Sequence, residues 1–210
     1  MTCTPHTTRR VVLAGLALLP AAPAFAAGKP KIVTMLGDSI TAGLGLPAAQ
    51  SLPVQLEAAL KAKGLNVKVR GAGVSGDTTQ AGLARVNFSV QPDTDLCIVA
   101  LGGNDLLQGL DTRRTHDNLA AILRKLKDRH IHAFLAGMRA PMAIGAGYAR
   151  DFSAIYPSLA KQFAVPLYPD LLAGVAGVPR LNQRDGIHPN PEGVRLIVQK
   201  LAPAVARALA

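Results

Sequence analysis

The sequence predicts a parallel α/β domain with helices on both faces of the sheet. Three observations carry this. Short continuous apolar runs alternate with segments that carry a one-sided helical stripe, the pattern of a sheet buried on both faces. The sharp glycine-rich breaks follow the strands. Finally, 210 residues suit one domain with a full core. In a parallel sheet such breaks gather at the C-terminal edge, where pockets form.

The first strand is expected over 31–36, in Lys31-Ile32-Val33-Thr34-Met35-Leu36, and Gly37-Asp38-Ser39 breaks it. Ser51 can cap a helix to about 62, with Leu52, Leu56, Ala59 and Leu60 on one face and Gly64 after it. A short second strand is expected at 66–69, followed by a loop from Gly71 to Thr79. Asp77 or Thr78 then caps a helix over 79–88. The third strand, 95–101, is apolar throughout and hence central, and it ends in Gly102-Gly103-Asn104-Asp105. Leu119, Ile122, Leu123 and Leu126 stripe a helix over 113–129, and the fourth strand is 132–136. The stretch 138–147 has no period and reads as a pocket-lining loop. A helix over 148–163 turns Phe152, Ile155, Leu159 and Phe163 inward, with a kink or restart expected at Pro157. Val165 to Tyr168 is a short edge strand. In the long connection 169–184, Leu171, Leu172, Val175 and Val178 suit a short helix. Asp185-Gly186-Ile187-His188-Pro189 is a tight turn. Asn190 caps the last helix and Pro191 opens it, with Val194, Ile197, Val198 and Leu201 buried.

The first 26 residues stand apart from this pattern. Arg9 and Arg10 precede a short apolar run, Val11 to Leu19, and Ala24-Phe25-Ala26 is an A-x-A cleavage site. Nine residues cannot span a bilayer, which takes about 20. The expectation is a signal peptide over 1–26, a domain over 27–210 and an exported protein, periplasmic or secreted, with no stable membrane insertion after cleavage. Thr8 to Leu13 loosely resembles a twin-arginine signal; an ordinary Sec signal is the alternative. Cleavage removes two arginines and no acid, so 21 basic and 13 acidic residues leave +8. The cations are scattered, tryptophan is absent and no groove-reading motif occurs, which argues against a nucleic-acid partner. Cys97, inside an apolar run, reads as a small core residue.

Ser39 lies just past a strand end and is the candidate nucleophile. A serine hydroxyl needs a base to take its proton, usually a histidine. His116, His130 and His132 sit at helix or strand ends, whereas His188 lies in a Gly/Pro turn three residues after Asp185. One turn can thus carry both groups, with Asp185 fixing the imidazole tautomer; a D-x-x-H alone also fits a solvated turn. Acyl transfer further requires hydrogen-bond donors for the developing oxyanion. Ser39 offers its own N–H. Gly76 can bring an N–H close because it lacks a side chain, or be a turn glycine. Asn104 offers a side-chain amide, or caps a helix. No metal cluster or cofactor motif is apparent: His130 and His132 have only Asp128 nearby, and the loop from Gly71 lacks the G-K-[ST] ending of a P-loop. The G-x-S-x-G elbow of α/β-hydrolases is absent around Ser39.

Taken together, Gly37-Asp38-Ser39, Gly76 in Ser75-Gly76-Asp77-Thr78, Gly103-Asn104-Asp105 and Asp185-Gly186-Ile187-His188-Pro189 resemble, in order, the four sequence blocks of the SGNH hydrolases, or GDSL family. The resemblance covers nearly all of 31–205. The stretches Ser75 to Arg85, Leu101 to Leu106 and Phe152 to Leu167 look like its periplasmic thioesterase I/lysophospholipase/arylesterase subgroup. Ile40 departs from the leucine of the family motif, a change of apolar shape only. The resemblance implies a three-layer α/β/α sandwich around a five-stranded parallel sheet, flavodoxin-like, in agreement with the strand count. It implies a triad of Ser39, Asp185 and His188 and an oxyanion hole of Ser39, Gly76 and Asn104, with no cofactor. Asp38 and Asp105 are expected to be structural. The expected substrates are carboxylic esters and acyl thioesters, including aryl esters and lysophospholipids, with 138–147 and 169–181 holding the acyl chain. The rivals are a carbohydrate O-acetyl esterase of the same family and a non-catalytic binding module.

Overall fold

The structure is a computed structural model that describes residues 1–2 and 28–210. The signal segment expected over 1–26 and its cleavage site lie outside the described residues, Met1 and Thr2 apart. Five strands form one sheet: β1 (Lys31–Gly37), β2 (Val67–Gly73), β3 (Leu96–Ala100), β4 (His132–Ala136) and β5 (Leu167–Tyr168). Every pairing is parallel and the order is β2-β1-β3-β4-β5. All of β3 and the last five residues of β1 are buried, as their unbroken apolar runs require.

The helices are α1 (Ser39–Ala42), α2 (Leu52–Ala62), α3 (Thr79–Ser89), α4 (Gly103–Leu107), α5 (Thr112–Asp128), α6 (Ala146–Phe163) and α7 (Pro191–Leu209). Helices α2 and α7 pack together on one face; α3, α5 and α6 pack in a row on the other. Right-handed crossovers dictate that split, because the chain moves one way from β1 to β2 and the other way thereafter. The reversal leaves a crevice between the C-terminal ends of neighbouring β1 and β3, the switch point of a flavodoxin-like sheet. The fold class is the expected three-layer sandwich. Cys97 is fully buried in β3, and burial pushes its thiol up to about 12.

Five local expectations need correction. Strand β2 runs four residues further, through Gly73, which pairs with Gly37. The glycines there admit a close crossing: a Cβ on Gly73 would lie 2.2 Å from the Ala42 amide nitrogen and 2.7 Å from the Asp38 carbonyl oxygen. Gly73→Ala is therefore expected to cost about 3 kcal/mol, read as a lowered midpoint in urea unfolding. Second, Ser51 occupies the N-cap position of α2, but its hydroxyl donates to the Ala48 carbonyl at 2.8 Å and caps nothing. Third, α4 forms where only a break was expected. Fourth, α6 does not restart at Pro157 but runs continuously through it. The missing N–H there is offset by burial of Phe152, Tyr156 and Leu159 against the sheet. Last, Leu171 to Gly177 is a series of turns with a single 3-10 turn at Pro179–Leu181, not a helix. Leu171 and Val175 are buried nonetheless.

Candidate active site

The crevice between β1 and β3 receives the expected serine. Asp38 ends the run from β1 and caps α1, its Oδ1 accepting the Ile40 N–H at 3.0 Å. This sharp entry into α1 sets Ser39 at the sheet edge. The Oγ of Ser39 lies 2.8 Å from Nε2 of His188, 149 residues on in the chain. Nδ1 of His188 lies 2.6 Å from Oδ2 of Asp185. The other oxygen of Asp185 accepts the N–H groups of Ile187 and His188 at 2.9 and 3.0 Å. Its bond to the imidazole, and then these two amides, hold the Asp185 carboxyl down at about 2. An ionised Asp185 only accepts, so Nδ1 carries the hydrogen and Nε2 presents a lone pair to the Ser39 hydroxyl. Gly186, at φ +73°, lets the turn close. Gln183 braces it, donating from its backbone to the His188 carbonyl at 2.8 Å and from its side chain to Leu44 and Pro189 carbonyls.

The three expected oxyanion donors come from separate segments: Ser39 opens α1, Gly76 lies in the loop after β2 and Asn104 is on α4. The N–H groups of Ser39 and Gly76 meet no acceptor among the described residues. Asn104 donates one amide hydrogen to the Asp77 carbonyl at 2.9 Å and keeps the other free. Gly76 lies one residue from that carbonyl, outside the cavity lining. Its φ of +86° is what asks for glycine, since a Cβ there would meet only open space. The chain is spared a side chain for its torsion, not for crowding.

A cavity of about 370 Å³ opens beside Ser39, Asn104 and His188. Its walls are mostly apolar, from Ile40, Leu106 and Leu107 with Met138 and Pro141, and from Leu172 across the way. Both loops expected to line a pocket do so, the second also through Asp170 and Ala176. A larger cavity of about 500 Å³, between His130, His132 and Phe163, lies at the opposite edge of the sheet and shares no residue with this one.

Sequence reading missed what holds the donors in place. Arg85 on α3 directs all three guanidinium nitrogens to the wall of the site. Nε meets Asp77 Oδ2 at 2.5 Å, Nη2 the Gly37 carbonyl at 2.8 Å, and Nη1 the Ala72 carbonyl at 2.9 Å and the Ser89 hydroxyl at 3.0 Å. It thus ties the ends of β1 and β2 to the loop that carries Gly76. Asp77 is consumed by this ion pair, so Thr78 caps α3 instead. Asp105 is structural, as expected: Oδ2 accepts the Thr79 N–H at 2.8 Å, and Oδ1 the hydroxyls of Thr79 and Thr115 at 2.5 and 3.2 Å. Tyr156 donates to the Leu101 carbonyl at 2.9 Å and fills the space a Cβ on Gly102 would need. No local spacing rule links Arg85 to Asp77 or Tyr156 to Leu101; both pairs close only in the tertiary fold.

Asp38 is buried beneath the cavity, and burial pushes its carboxyl from 3.8 up to about 6. The folded protein therefore holds this proton more tightly than the unfolded chain. The resulting stability is full below about pH 4 and is lost as pH rises through about 6. Asp38→Asn keeps an acceptor for Ile40. It is expected to raise stability by roughly 3 kcal/mol at neutral pH and to change little near pH 3, in urea unfolding at both pH values.

A parallel sandwich that gathers a serine, a histidine and a carboxylate in hydrogen-bonding line at one sheet edge is built as a serine hydrolase. The profile of the GDSL-like lipase/acylhydrolase family matches residues 35–196, and the chain belongs to that family of ester-hydrolysing enzymes. It is 37% identical over 179 residues to thioesterase 1/protease 1/lysophospholipase L1 of Escherichia coli (strain K12), spanning 85% of each chain. It is 35% identical over 182 residues to esterase TesA of Pseudomonas aeruginosa, spanning 86% of this chain and 90% of that one. The crystal structure of AlinE4, an SGNH-hydrolase family esterase, is 46% identical and superposes with a TM-score of 0.73, covering 88% of this chain and 100% of that one.

Proposed function

We propose that the protein is an exported esterase that hydrolyses carboxylic esters and acyl thioesters through a Ser39–His188–Asp185 triad. The observation that carries this is the unbroken line of hydrogen bonds from Asp185 through His188 to Ser39, ending at an apolar cavity. In this reading the Ser39 oxygen bonds to the acyl carbon while His188 Nε2 takes its proton. The tetrahedral oxyanion is received by the N–H groups of Ser39 and Gly76 and the free amide hydrogen of Asn104. His188 returns the proton to the departing alcohol or thiol, leaving an acyl-enzyme. Water then gives its proton to His188 and its oxygen to the acyl carbon, and Ser39 leaves with the proton as the acid is released. The relatives named for thioesterase, lysophospholipase and arylesterase activity support the substrate range. The signal segment over 1–26 supports export of a domain over 27–210.

Removing one donor of such a hole lowers kcat by about 10²–10³. Asn104→Ala is expected in that range with little change in KM. Hydrolysis of p-nitrophenyl esters from acetate to palmitate, with an acyl-coenzyme A alongside, tests the substrate class. Activity on medium or long chains and on the thioester is expected. Activity confined to acetate would replace this reading with an O-acetyl esterase. No activity on any ester would replace it with a binding module.

A further inference from the structure

Six of the eight exposed large apolar side chains in residues 28–210 stand at the C-terminal edge of the sheet, so their placement is not scatter. Leu44 follows β1, Val74 follows β2, Leu107 follows β3, Met142 and Ile144 follow β4, and Ile187 sits in the turn that carries His188. Leu107 and Ile187 also line the catalytic cavity, so the apolar rim is continuous with its mouth. Leu107 is 61% and Met142 60% exposed, on short segments braced from below. Tyr148 ties α6 to the Leu110 carbonyl at 2.9 Å, joining the two loops that present them.

Cations surround this rim. Arg113 and Arg114 open α5, Arg139 lies at the cavity wall, Arg150 is in the first turns of α6, and Arg184 precedes the catalytic turn. All five are exposed, and none pairs with a carboxylate among the described residues. The acids at the same edge are mostly engaged. Asp77 meets Arg85, Asp105 is buried, Asp111 and Asp170 accept backbone N–H groups, and Asp185 meets His188. Asp117 and Asp151, each the sixth residue of its helix, are the exposed exceptions.

An apolar rim within a ring of arginines matches a layered surface: phosphates outside, acyl chains beneath. Guanidinium groups suit phosphate through paired donors. We propose that this face docks on a bilayer bearing anionic phospholipids, with Met142 and Ile144 inserting among the headgroups. The cavity mouth then faces the membrane, and acyl chains reach Ser39 without crossing water. Docking stands on the surface alone; delivery to Ser39 rests on the esterase reading above.

The test is co-sedimentation of the full chain with phosphatidylcholine vesicles, with and without phosphatidylglycerol. A Ser39→Ala background keeps binding separate from hydrolysis. Binding is expected to require phosphatidylglycerol and to weaken as salt rises. The double variant Met142→Glu/Ile144→Glu is expected to bind about tenfold or more weakly. Its melting temperature and far-UV circular dichroism should match those of the unmodified chain, so that weaker binding is not lost folding. Segment 1–26 is common to both chains and cannot produce the difference. Equal binding by the double variant, or no preference for phosphatidylglycerol, overturns the proposal. So does a concentration-dependent dimer that the double variant abolishes, which would assign the face to a second copy. Loss of esterase activity with Ser39→Ala and retained vesicle binding tells the two readings apart.

Discussion

Ser39→Ala is expected to lower kcat by about 10⁴–10⁶, the size of loss seen when a triad nucleophile is removed and only donors and binding remain. The variant should fold normally. Ser39 is buried at the start of a four-residue helix, its hydroxyl meets only His188, and Asp38 rather than Ser39 caps that helix. A smaller side chain there leaves the sheet and the cavity walls intact. KM for a p-nitrophenyl ester should therefore hold while kcat collapses, and a fluorophosphonate probe that labels the unmodified chain should leave the variant unlabelled. Activity surviving in Ser39→Ala would place the nucleophile elsewhere and dismantle the proposed mechanism.

Asp185→Asn is expected to lower kcat by about 10³–10⁴. The direction follows from the two oxygens of Asp185. Oδ1 already accepts the N–H groups of Ile187 and His188. An asparagine keeps those bonds only by leaving its carbonyl oxygen there, which turns its NH2 toward Nδ1 of His188. Nδ1 must then accept, the ring proton moves to Nε2, and Nε2 no longer takes a proton from Ser39. The Asp185 side chain is 43% exposed, and solvent screening sets the loss toward the lower end of the range. A carboxylate that served only to build the turn would predict the opposite, since asparagine preserves the turn. Rate constants for Asp185→Asn, with melting temperature as control, separate the two.

Where a property depended on neighbours in the chain, the residues announced it. The apolar run before Ser39, the one-sided stripes of α5 and α7, and the Asn190-Pro191 start of α7 all gave their elements to within about two residues. The four chemical blocks were readable because each sits at one loop and carries its residue type openly. What escaped depends on partners far off in sequence. Gly71 and Gly73 look like loop glycines, yet they extend β2, with Pro53 of α2 close over Gly71 and α1 crossing Gly73. Pro157 looks like a helix break, yet the burial of its own helix carries the chain through it. Arg85 looks like any helix arginine, yet it fixes three backbone segments of the site wall. The raised carboxyl of Asp38 comes from burial, which only packing supplies.

The proposed acid and base share one five-residue turn, while Ser39 opens α1 directly after β1. That turn rests on Gln183 and on a single antiparallel bridge between Asn182 and Pro189, and three of its residues are exposed. Segments tied so sparingly open locally at a small fraction of the free energy needed to unfold the whole. The enzyme should thus have two separate tolerances to stress. As urea rises, turnover should fade while helical circular dichroism still reports an intact sandwich, and it should return on dilution without refolding. Its working lifetime would then be governed by one hinge of the surface rather than by the strength of its core.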